Sequence, residues 1–282
     1  MPKNLNIESL LKTASESLKK TSESPLLDAQ VLLAYCLQKN RTWLITWADK
    51  AINENNIARF NALIKRRESG EPIAHITGTR EFWSLDLNVT KDTLIPRPDT
   101  ELMVETILQQ YPQNTNLNLL DLGTGSGAIA LALASERPSW QITATDKSTA
   151  ALDIAKQNAQ QLKLSNIRFV CGSWFEPLAN QQFDIIASNP PYIPQSDPHL
   201  LQGDVRFEPV SALASGADGL DDIRLISQQA AAYLNKKGML IIEHGFDQKT
   251  EIRHIFQDLG YKNIQQYTDL SHNPRLCSGL IN

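Results

Sequence analysis

The chain has 282 residues, of which 41% are hydrophobic and 21% are charged, and its formal net charge is −4 at pH 7. This length allows one large domain and one small domain, and the ordinary composition excludes a chain that is mostly disordered. The slight negative charge excludes the overall basic excess that supports strong non-specific binding to nucleic acid.

The cysteines and the amino-terminal segment indicate the compartment. Cys36, Cys171 and Cys277 are far apart and lack metal-ligand spacing. We therefore expect reduced thiols and no metal, with Cys171 as a small core residue in the apolar stretch FVCG. The first residues, MPKNLNIESLLKTASESLKK, contain no apolar run of the length of a signal peptide or a membrane span. The sequence predicts a soluble, cytoplasmic protein.

The amino-terminal part of the chain has a helical pattern. Apolar residues recur at three- and four-residue steps in LLKTASESL and again in LLDAQVLLAY. Ser24 and Pro25 are typical of an N-cap followed by the first helical position, and Gly70-Glu71-Pro72 ends the last helix of the group. We predict that residues 1–72 form a small helical bundle domain.

The pattern changes in the next segment, IAHITGTREFWSLDLNVTKDTLIPRP. Its β-branched and aromatic residues alternate in part, which predicts a β-hairpin linker over residues 73–96 with its turn at Gly78-Thr79. The stretch DTELMVETILQQ then predicts a helix with Asp99 or Thr100 as its cap. A second domain is expected over residues 97–282.

Strands and helices alternate from Leu117 onward. The predicted strands are LNLLD, QITATD, IRFVCG, FDIIAS, GMLIIEH, KNIQQYT and RLCSGLI, and helical stretches such as AIALALASE separate most of them. This alternation predicts an α/β fold with a parallel sheet and helices on both faces. Only the turn DLSHNP separates the last two strands, so we expect a hairpin there and one antiparallel strand.

A glycine-rich turn, DLGTGSG, follows the first of these strands. It spans Asp121 to Gly127 and lies where doubly wound sheets bind ligands. Its G-x-G-x-G spacing differs from the dinucleotide fingerprint, and it lacks the Gly-Lys-Ser/Thr ending of a P-loop. We predict a ligand-binding turn, and the alternative is a tight turn without a ligand.

Two further residues point to a nucleoside at the same edge. Asp146 ends the strand QITATD, where a carboxylate can accept hydrogen bonds from both hydroxyls of a ribose. Its alternative role is an N-cap for the helix that begins near Ser148 or Thr149. Trp174 follows the third strand and can lie against an adenine face, although an aromatic residue at such a place can also be part of the core.

These features resemble the class I S-adenosylmethionine-dependent methyltransferases from about Leu94 to the carboxyl end. The resemblance implies a Rossmann-like sheet of seven strands with the last one antiparallel, and S-adenosylmethionine as the cofactor without a metal. By this resemblance the residues around the cofactor are Gly123, Thr124, Gly125, Ser126 and Gly127 at its methionine part, Asp146 at its ribose, Trp174 at its adenine, and Asn189.

The sequence NPPY follows the fourth strand at the same edge. Proline has no N–H to compete with its carbonyl, and Asn189 adds a side-chain acceptor. Two acceptors that converge on an –NH2 group select a planar amide or an aromatic amine and orient its nitrogen toward a methyl donor. The predicted catalytic and substrate-binding residues are therefore Asn189, Pro190, Pro191 and Tyr192, with a rigid strand exit as the structural alternative.

The segments from Glu71 to Glu101 and from Asn189 to Leu213 resemble the peptide chain release factor N(5)-glutamine methyltransferases, and the helical amino-terminal unit fits that family. The resemblance implies that the substrate is the glutamine of the Gly-Gly-Gln motif in bacterial class I release factors. It implies that Asn189 and the Pro190 carbonyl bind the glutamine amide, beside Tyr192. The segment RPDTE favours this branch over the enzymes that methylate a ribosomal protein.

Other interpretations stay open. A nucleic acid amino-methyltransferase needs a basic groove, which the acidic balance does not provide, and a non-enzymatic binding module could use the pocket as a scaffold. We expect no stable nucleic acid binding, no membrane association and a monomer. Four charged residues, each with a structural or a ligand-binding role, are Arg97, Glu101, Arg206 and Glu208. His75 and His244 are interpreted as structural histidines.

Overall fold

The computed structural model describes residues 5–281, and the chain divides into two compact units. The smaller unit contains the chain up to Thr79 together with Leu201–Phe207, and the larger contains Arg80–Leu200 and the chain from Glu208 onward. The chain therefore leaves the larger unit once, shortly after the NPPY sequence, and returns at Glu208.

The smaller unit is helical, as predicted. Its helices are α1 (Ile7–Leu18), α2 (Pro25–Leu37), α3 (Arg41–Thr46), α4 (Glu54–Glu68) and α5 (Ile73–Thr77). Three of them begin at an asparagine whose side chain accepts a hydrogen bond from the third helical N–H, which satisfies one of the free donors of the first turn. Their apolar faces form one core around Leu18, Leu32 and Phe60.

A buried arginine ties the segment Leu201–Phe207 into this helical unit. Arg67 donates from Nε to Asp28 at 2.8 Å and from Nη1 to Asp204 at 2.7 Å. Its remaining contacts are the carbonyl oxygens of Gly70 and Glu71. Because a buried charge is costly without partners, these contacts favour a single conformation of the segment.

The predicted hairpin is present, but it begins later than expected. Ile73–Thr77 form helix α5, and Gly78 ends that helix in the left-handed conformation with φ +77°. The strands are β1 (Thr79–Phe82) and β2 (Leu85–Asn88), and Trp83 and Ser84 form the turn between them with φ of 52° and 58°. The prediction of a turn at Gly78-Thr79 was wrong because a glycine that ends a helix and one that begins a hairpin turn look alike in sequence.

The larger unit contains a sheet of seven strands, as predicted. The strands are β3 (Asn118–Leu122), β4 (Gln141–Asp146), β5 (Ile167–Cys171), β6 (Phe183–Ser188), β7 (Leu234–Glu243), β8 (Lys262–Thr268) and β9 (Pro274–Leu280). Their order is β5-β4-β3-β6-β7-β9-β8, and β9 is antiparallel to both of its neighbours. The order reverses between β3 and β6, which is the point where such sheets bind ligands.

Helices cover both faces of this sheet and enclose two apolar cores. They are α6 (Glu101–Gln110), α7 (Ala128–Glu136), α8 (Thr149–Gln161), α9 (Asp221–Ala230) and α10 (Lys249–Asp258). Cys171, which we expected in the core, is exposed because β5 is an edge strand of the sheet. Among residues 5–281, no helix is both long and apolar enough to span a lipid bilayer.

Candidate active site

The turn between β3 and α7 needs its glycines. Gly123, Gly125 and Gly127 have φ of 71°, 56° and 90°, a region that residues with a Cβ rarely adopt. A Cβ at Gly127 would lie 2.8 Å from a methyl carbon of Leu131, whereas a Cβ at Gly125 would meet no protein atom within 4 Å. The backbone at Gly125 therefore borders open space rather than packed protein.

The buried carboxyl group of Asp121 holds this turn through a hydrogen bond with Thr124. The Thr124 hydroxyl donates to Asp121 Oδ2 at 2.6 Å, and Asp121 is 1% exposed. Its Oδ1 accepts no hydrogen bond from any residue that the structure describes. Burial raises the pKa of Asp121 to about 7, although the hydrogen bond from Thr124 opposes this change.

The raised pKa of Asp121 predicts a pH-dependent stability. The folded protein binds the proton of the Asp121 carboxyl more tightly than the unfolded chain does. The contribution of this proton to the unfolding free energy is therefore fully present below about pH 4 and is lost as the pH rises to about 7. The largest expected loss is about 4 kcal/mol of unfolding free energy. In the variant Asp121→Asn, urea unfolding across this range should show a shallower pH dependence than in the wild type. Equal slopes in the two proteins would contradict the prediction.

Asp146 links the glycine turn to the next loop. Its Oδ2 accepts from the Gly125 N–H at 2.9 Å and its Oδ1 accepts from the Ser148 N–H at 2.8 Å. The cap of helix α8 is Ser148, whose hydroxyl accepts from the Ala151 N–H at 3.2 Å. The alternative role of Asp146 as the helix cap is therefore wrong. Each of its oxygens can still accept a further hydrogen bond from a ligand.

Trp174 lies against the glycine turn. A Cβ at Gly123 would come within 3.2 Å of its ring, and its Nε1 donates to Asp222 Oδ1 at 3.2 Å. Trp174 has a positive φ of 45°, which is strained for a residue with a large side chain. Such strain is common at ligand sites, where the surrounding structure holds the residue in place.

Six of the predicted site residues line one open cavity, whereas Pro190 and Tyr192 do not. Its lining includes Gly123, Gly125, Asp146, Trp174, Asn189 and Pro191. These residues lie at the carboxyl ends of β3, β4, β5 and β6, and the segments 91–94 and 209–212 supply much of the rest of the wall. Thr124, Ser126 and Gly127 belong to the same turn but do not line the cavity, and Thr124 and Ser126 are buried. The cavity combines glycine backbone, a carboxylate and an aromatic ring, which suits a nucleoside.

Asn189 directly follows β6, and only the nitrogen of its side-chain amide has a hydrogen-bond partner among the described residues. Its Nδ2 donates to Thr100 Oγ1 at 3.2 Å, and the preceding Ser188 hydroxyl donates to the Leu122 carbonyl at 2.9 Å. Within the described chain, neither Asn189 Oδ1 nor the Pro190 carbonyl accepts a hydrogen bond. Two neighbouring acceptors thus remain available directly after the strand.

Tyr192 is fixed by three other segments. Its backbone N–H donates to the Leu213 carbonyl at 3.2 Å, and its own carbonyl accepts from Gln248 Nε2 at 2.9 Å. Its hydroxyl donates to Glu243 Oε1 at 3.4 Å. Burial raises the pKa of this hydroxyl above its ordinary value, and the nearby Glu243 carboxyl raises it further. Tyr192 is therefore a neutral phenol that can donate.

Gly219 allows the backbone of Tyr192 to pass close by, which makes a testable prediction. A Cβ at Gly219 would lie 2.2 Å from the Tyr192 carbonyl oxygen. We expect Gly219→Ala to lower the unfolding free energy by about 3 kcal/mol or more and to impair activity. The matched control is Gly260→Ala, which has a similar φ of 82° but open space, and it should cost about 1 kcal/mol. Equal losses in urea unfolding would contradict the steric explanation.

The four charged residues singled out in the sequence all have partners within the protein. Arg97 pairs with Glu208, which also accepts from the Ile95 N–H at 2.9 Å. Glu101 accepts from the Trp83 N–H at 2.8 Å, and Arg206 donates to the Ser69 carbonyl at 2.7 Å. These contacts give each residue a structural role.

Two histidines, His75 and His244, are interpreted from sequence as structural. His75 is half-buried and His244 is buried, and the Nε2 atom of each has no hydrogen-bond partner in the described chain. His244 donates from Nδ1 to the Gly245 carbonyl at 2.8 Å, and burial lowers its pKa. It is therefore a neutral imidazole, held by one hydrogen bond.

Four residues at the site were not identified from sequence, namely Thr100, Asp222, Glu243 and Gln248. Glu243 carried the clearest signal, because a carboxylate that ends an apolar strand such as GMLIIE lies at the ligand-binding edge of the sheet. The others lie on helices or their ends, and only the tertiary structure brings them to the strand ends.

Two family models match separate parts of the chain. The model described as PrmC N-terminal domain matches residues 9–78, and the model described as Methyltransferase small domain matches residues 98–202. The first match covers the helical stretch, and the second covers the glycine turn, Asp146 and the NPPY sequence.

Solved structures of low sequence identity share the fold. A methyltransferase from Pyrococcus furiosus is 19% identical with a TM-score of 0.54, covering 78% of this chain and 96% of that one. A 16S rRNA methyltransferase from T. thermophilus, in complex with AdoMet and guanosine, is 17% identical with a TM-score of 0.51, covering 72% and 50%. These similarities confirm the class I methyltransferase fold.

Curated relatives match almost the whole chain. The release factor glutamine methyltransferase of Vibrio cholerae is 50% identical over 278 residues, covering 98% of this chain and 97% of the relative. The enzymes of the same name from Shewanella oneidensis and Escherichia coli are 48% and 46% identical, covering 97% and 92% of this chain and 95% and 94% of theirs. The chain belongs to the release factor glutamine methyltransferase family.

Proposed function

We propose that the protein transfers a methyl group from S-adenosylmethionine to the side-chain amide nitrogen of the glutamine in the Gly-Gly-Gln motif of peptide chain release factors. The observation that carries this proposal is a pair of acceptors without a partner in the described chain, Asn189 Oδ1 and the carbonyl of the next residue, Pro190, of which Asn189 lines the cavity. Relatives that share nearly half of their residues with this chain bear the matching name.

The cavity residues suit S-adenosylmethionine. Asp146 can accept from the two ribose hydroxyls, Trp174 offers a flat face for the adenine, and Gly125 leaves space for the methionine part. When bound, this cofactor supplies an electrophilic methyl group on a positively charged sulfur. The chain's own contribution is to hold the cofactor near Asn189, which lines the same cavity.

The glutamine amide needs orientation more than it needs a base. Its nitrogen is a poor nucleophile because the lone pair is delocalised into the carbonyl group. In the proposed complex, Asn189 Oδ1 and the Pro190 carbonyl accept the two N–H hydrogens and hold the nitrogen in line for attack. The cofactor would supply the methyl group and be left as a neutral thioether, and the methylated nitrogen would lose one proton to solvent, so that no histidine or lysine base is required.

The helical unit has a proposed role in substrate recognition. We assign residues 1–72 to this domain, residues 73–96 to the linker and residues 97–282 to the catalytic domain. The family model for an amino-terminal domain, which covers residues 9–78, supports a separate function for this part of the chain.

The direct test measures transfer of labelled methyl from S-adenosylmethionine to a purified release factor. The parallel samples contain a release factor whose Gly-Gly-Gln glutamine is replaced, a ribosomal protein, and DNA. Label on the intact factor alone is the expected result. Label that persists on the glutamine variant, or that appears only on a control, would refute the substrate assignment.

A further inference from the structure

Thr100 occupies the N-cap position of helix α6 without capping it. Thr100 has helical backbone angles, because a short 3-10 helix, Pro98–Thr100, leads directly into α6. Its side chain makes no capping hydrogen bond, and Asp99, the other predicted cap, instead forms an ion pair with Arg275 at 2.9 Å. The Thr100 side chain is 4% exposed, and it accepts from Asn189 Nδ2 at 3.2 Å. Its hydroxyl therefore serves the candidate active site rather than the helix.

Glu243 is the carboxyl group beside this hydroxyl. It ends β7, is 1% exposed, and accepts from the Tyr192 hydroxyl through Oε1 at 3.4 Å. Its Oε2 has no hydrogen-bond partner among residues 5–281. Burial raises the pKa of Glu243 to about 7, while the neighbouring Thr100 hydroxyl and the positive charge of Arg275 oppose that rise. The carboxyl is therefore close enough to Thr100 for that hydroxyl to affect its pKa, and it has one oxygen that accepts from Tyr192 and one that accepts from no described residue.

The direction of one hydrogen follows from this arrangement. A hydroxyl has a single hydrogen, and above about pH 7, where Glu243 is ionised, its carboxylate is a stronger acceptor for that hydrogen than the amide oxygen of Asn189. When the Thr100 hydrogen points to Glu243, only the lone pairs of Oγ1 remain for Asn189. Asn189 must then present Nδ2 to Thr100.

The orientation of the Asn189 amide decides whether it can bind the substrate. A rotation by half a turn exchanges its oxygen and nitrogen with almost no change in shape. In the rotated state its NH2 group would face the two N–H hydrogens of the glutamine amide, and donor would meet donor.

We propose that Thr100 and Glu243 are positioning residues that lock the Asn189 amide with its oxygen available to the substrate. This inference deepens the proposed function and rests on it. Neither residue contacts the reacting atoms: both act through Asn189, and Glu243 also holds the hydroxyl of Tyr192.

The test compares Thr100→Val, which keeps the side-chain shape but removes the hydroxyl, with Thr100→Ser, which keeps the hydroxyl. With release factor as substrate, Thr100→Val should lower kcat about 10- to 100-fold, because the amide is free to rotate. Thr100→Ser should retain most of the wild-type kcat. The affinity for S-adenosylmethionine, measured by calorimetry, should stay within about threefold in both. Equal kcat values for the two variants would overturn the proposal.

A second variant, Glu243→Gln, tests the other half of the pair. The Gln amide can donate to Thr100 and turn its hydrogen toward Asn189, so kcat should fall. Because both changes act through the same hydrogen, the double variant Thr100→Val/Glu243→Gln should be no slower than the slower single variant. Additive losses would show that the two residues act separately and would refute the coupling.

A measurement without release factor separates this inference from the proposed function. The side-chain ¹⁵N resonance of Asn189, assigned by its absence in Asn189→Ala, should show slow hydrogen exchange in wild type and in Thr100→Ser, and faster exchange with a changed shift in Thr100→Val. An unchanged resonance in Thr100→Val would refute the positioning role. Failure of the wild type to label the release factor would instead refute the proposed function, and the resonance would still decide the positioning role.

Discussion

Asn189→Ala is expected to lower kcat for glutamine methylation by about 10²- to 10³-fold, the loss seen when a preorganised hydrogen-bonding group is removed from a reaction site. The substitution deletes the Oδ1 acceptor and leaves the Pro190 carbonyl to hold the substrate amide alone. Asn189 Oδ1 accepts nothing from the described residues, so its removal breaks no contact of the fold through that atom. The effect should therefore appear in turnover.

Steady-state and single-turnover kinetics with a release factor check this prediction, together with cofactor affinity by calorimetry. The matched control is Asn116→Ala, which removes an exposed asparagine from the loop before β3 of the same unit and should leave kcat unchanged. A loss of less than about threefold in Asn189→Ala, with cofactor affinity retained, would refute the amide clamp.

Asp146→Ala is expected to weaken S-adenosylmethionine binding by about 100-fold. The substitution removes the acceptor proposed for the ribose hydroxyls, and hydrogen bonds to a charged group contribute about 1.5–3 kcal/mol each. It also leaves the N–H groups of Gly125 and Ser148 without the partners they have at 2.9 and 2.8 Å. The glycine turn therefore loses a support in addition to the ligand contact.

Calorimetric titration with S-adenosylmethionine measures this effect, and Asp153→Ala is the matched control. Asp153 is an exposed carboxylate on helix α8 whose ion pair with Lys156 is open to solvent, so its removal should change cofactor affinity by less than about twofold. Asp146→Asn is informative as well, since an amide can satisfy only one of the two backbone N–H groups. Wild-type affinity in Asp146→Ala would show that Asp146 has only a structural role in the turn.

The predicted secondary structure of the larger unit agrees closely with the structure because its signals are local. The stretches QITATD, FDIIAS and AIALALASE form β4, β6 and α7 with the same bounds. Buried strands of a parallel sheet are continuous apolar runs, and turn residues separate them from amphipathic or apolar helices. The hairpin between β8 and β9, and the antiparallel direction of β9, followed from the short turn between them.

The errors fall where one local pattern has two structural meanings. Gly78 ends a helix instead of turning a hairpin, and the cap of α8 is Ser148 and not Asp146. Cys171 lies in an apolar stretch, but its strand is at the edge of the sheet and the residue is exposed. The residues of that stretch do not indicate the position of the strand in the sheet. In each case, the deciding contact involves a segment that is not adjacent in sequence or a choice between neighbouring residues of similar chemistry.

The alternating α/β fold, the glycine turn that borders the cavity and the residues at the strand ends can all be predicted from local patterns, because periodicity and turn chemistry are properties of neighbouring residues. The groups that hold these residues in place are identified only in the folded chain. Thr100 meets Asn189 across 89 positions of sequence, Glu243 meets Tyr192 across 51, and Glu208 meets Ile95 across 113. The contact between Glu243 and Tyr192 depends on the strand order that places β6 beside β7, and the other two contacts join segments outside the sheet; no local pattern specifies any of them.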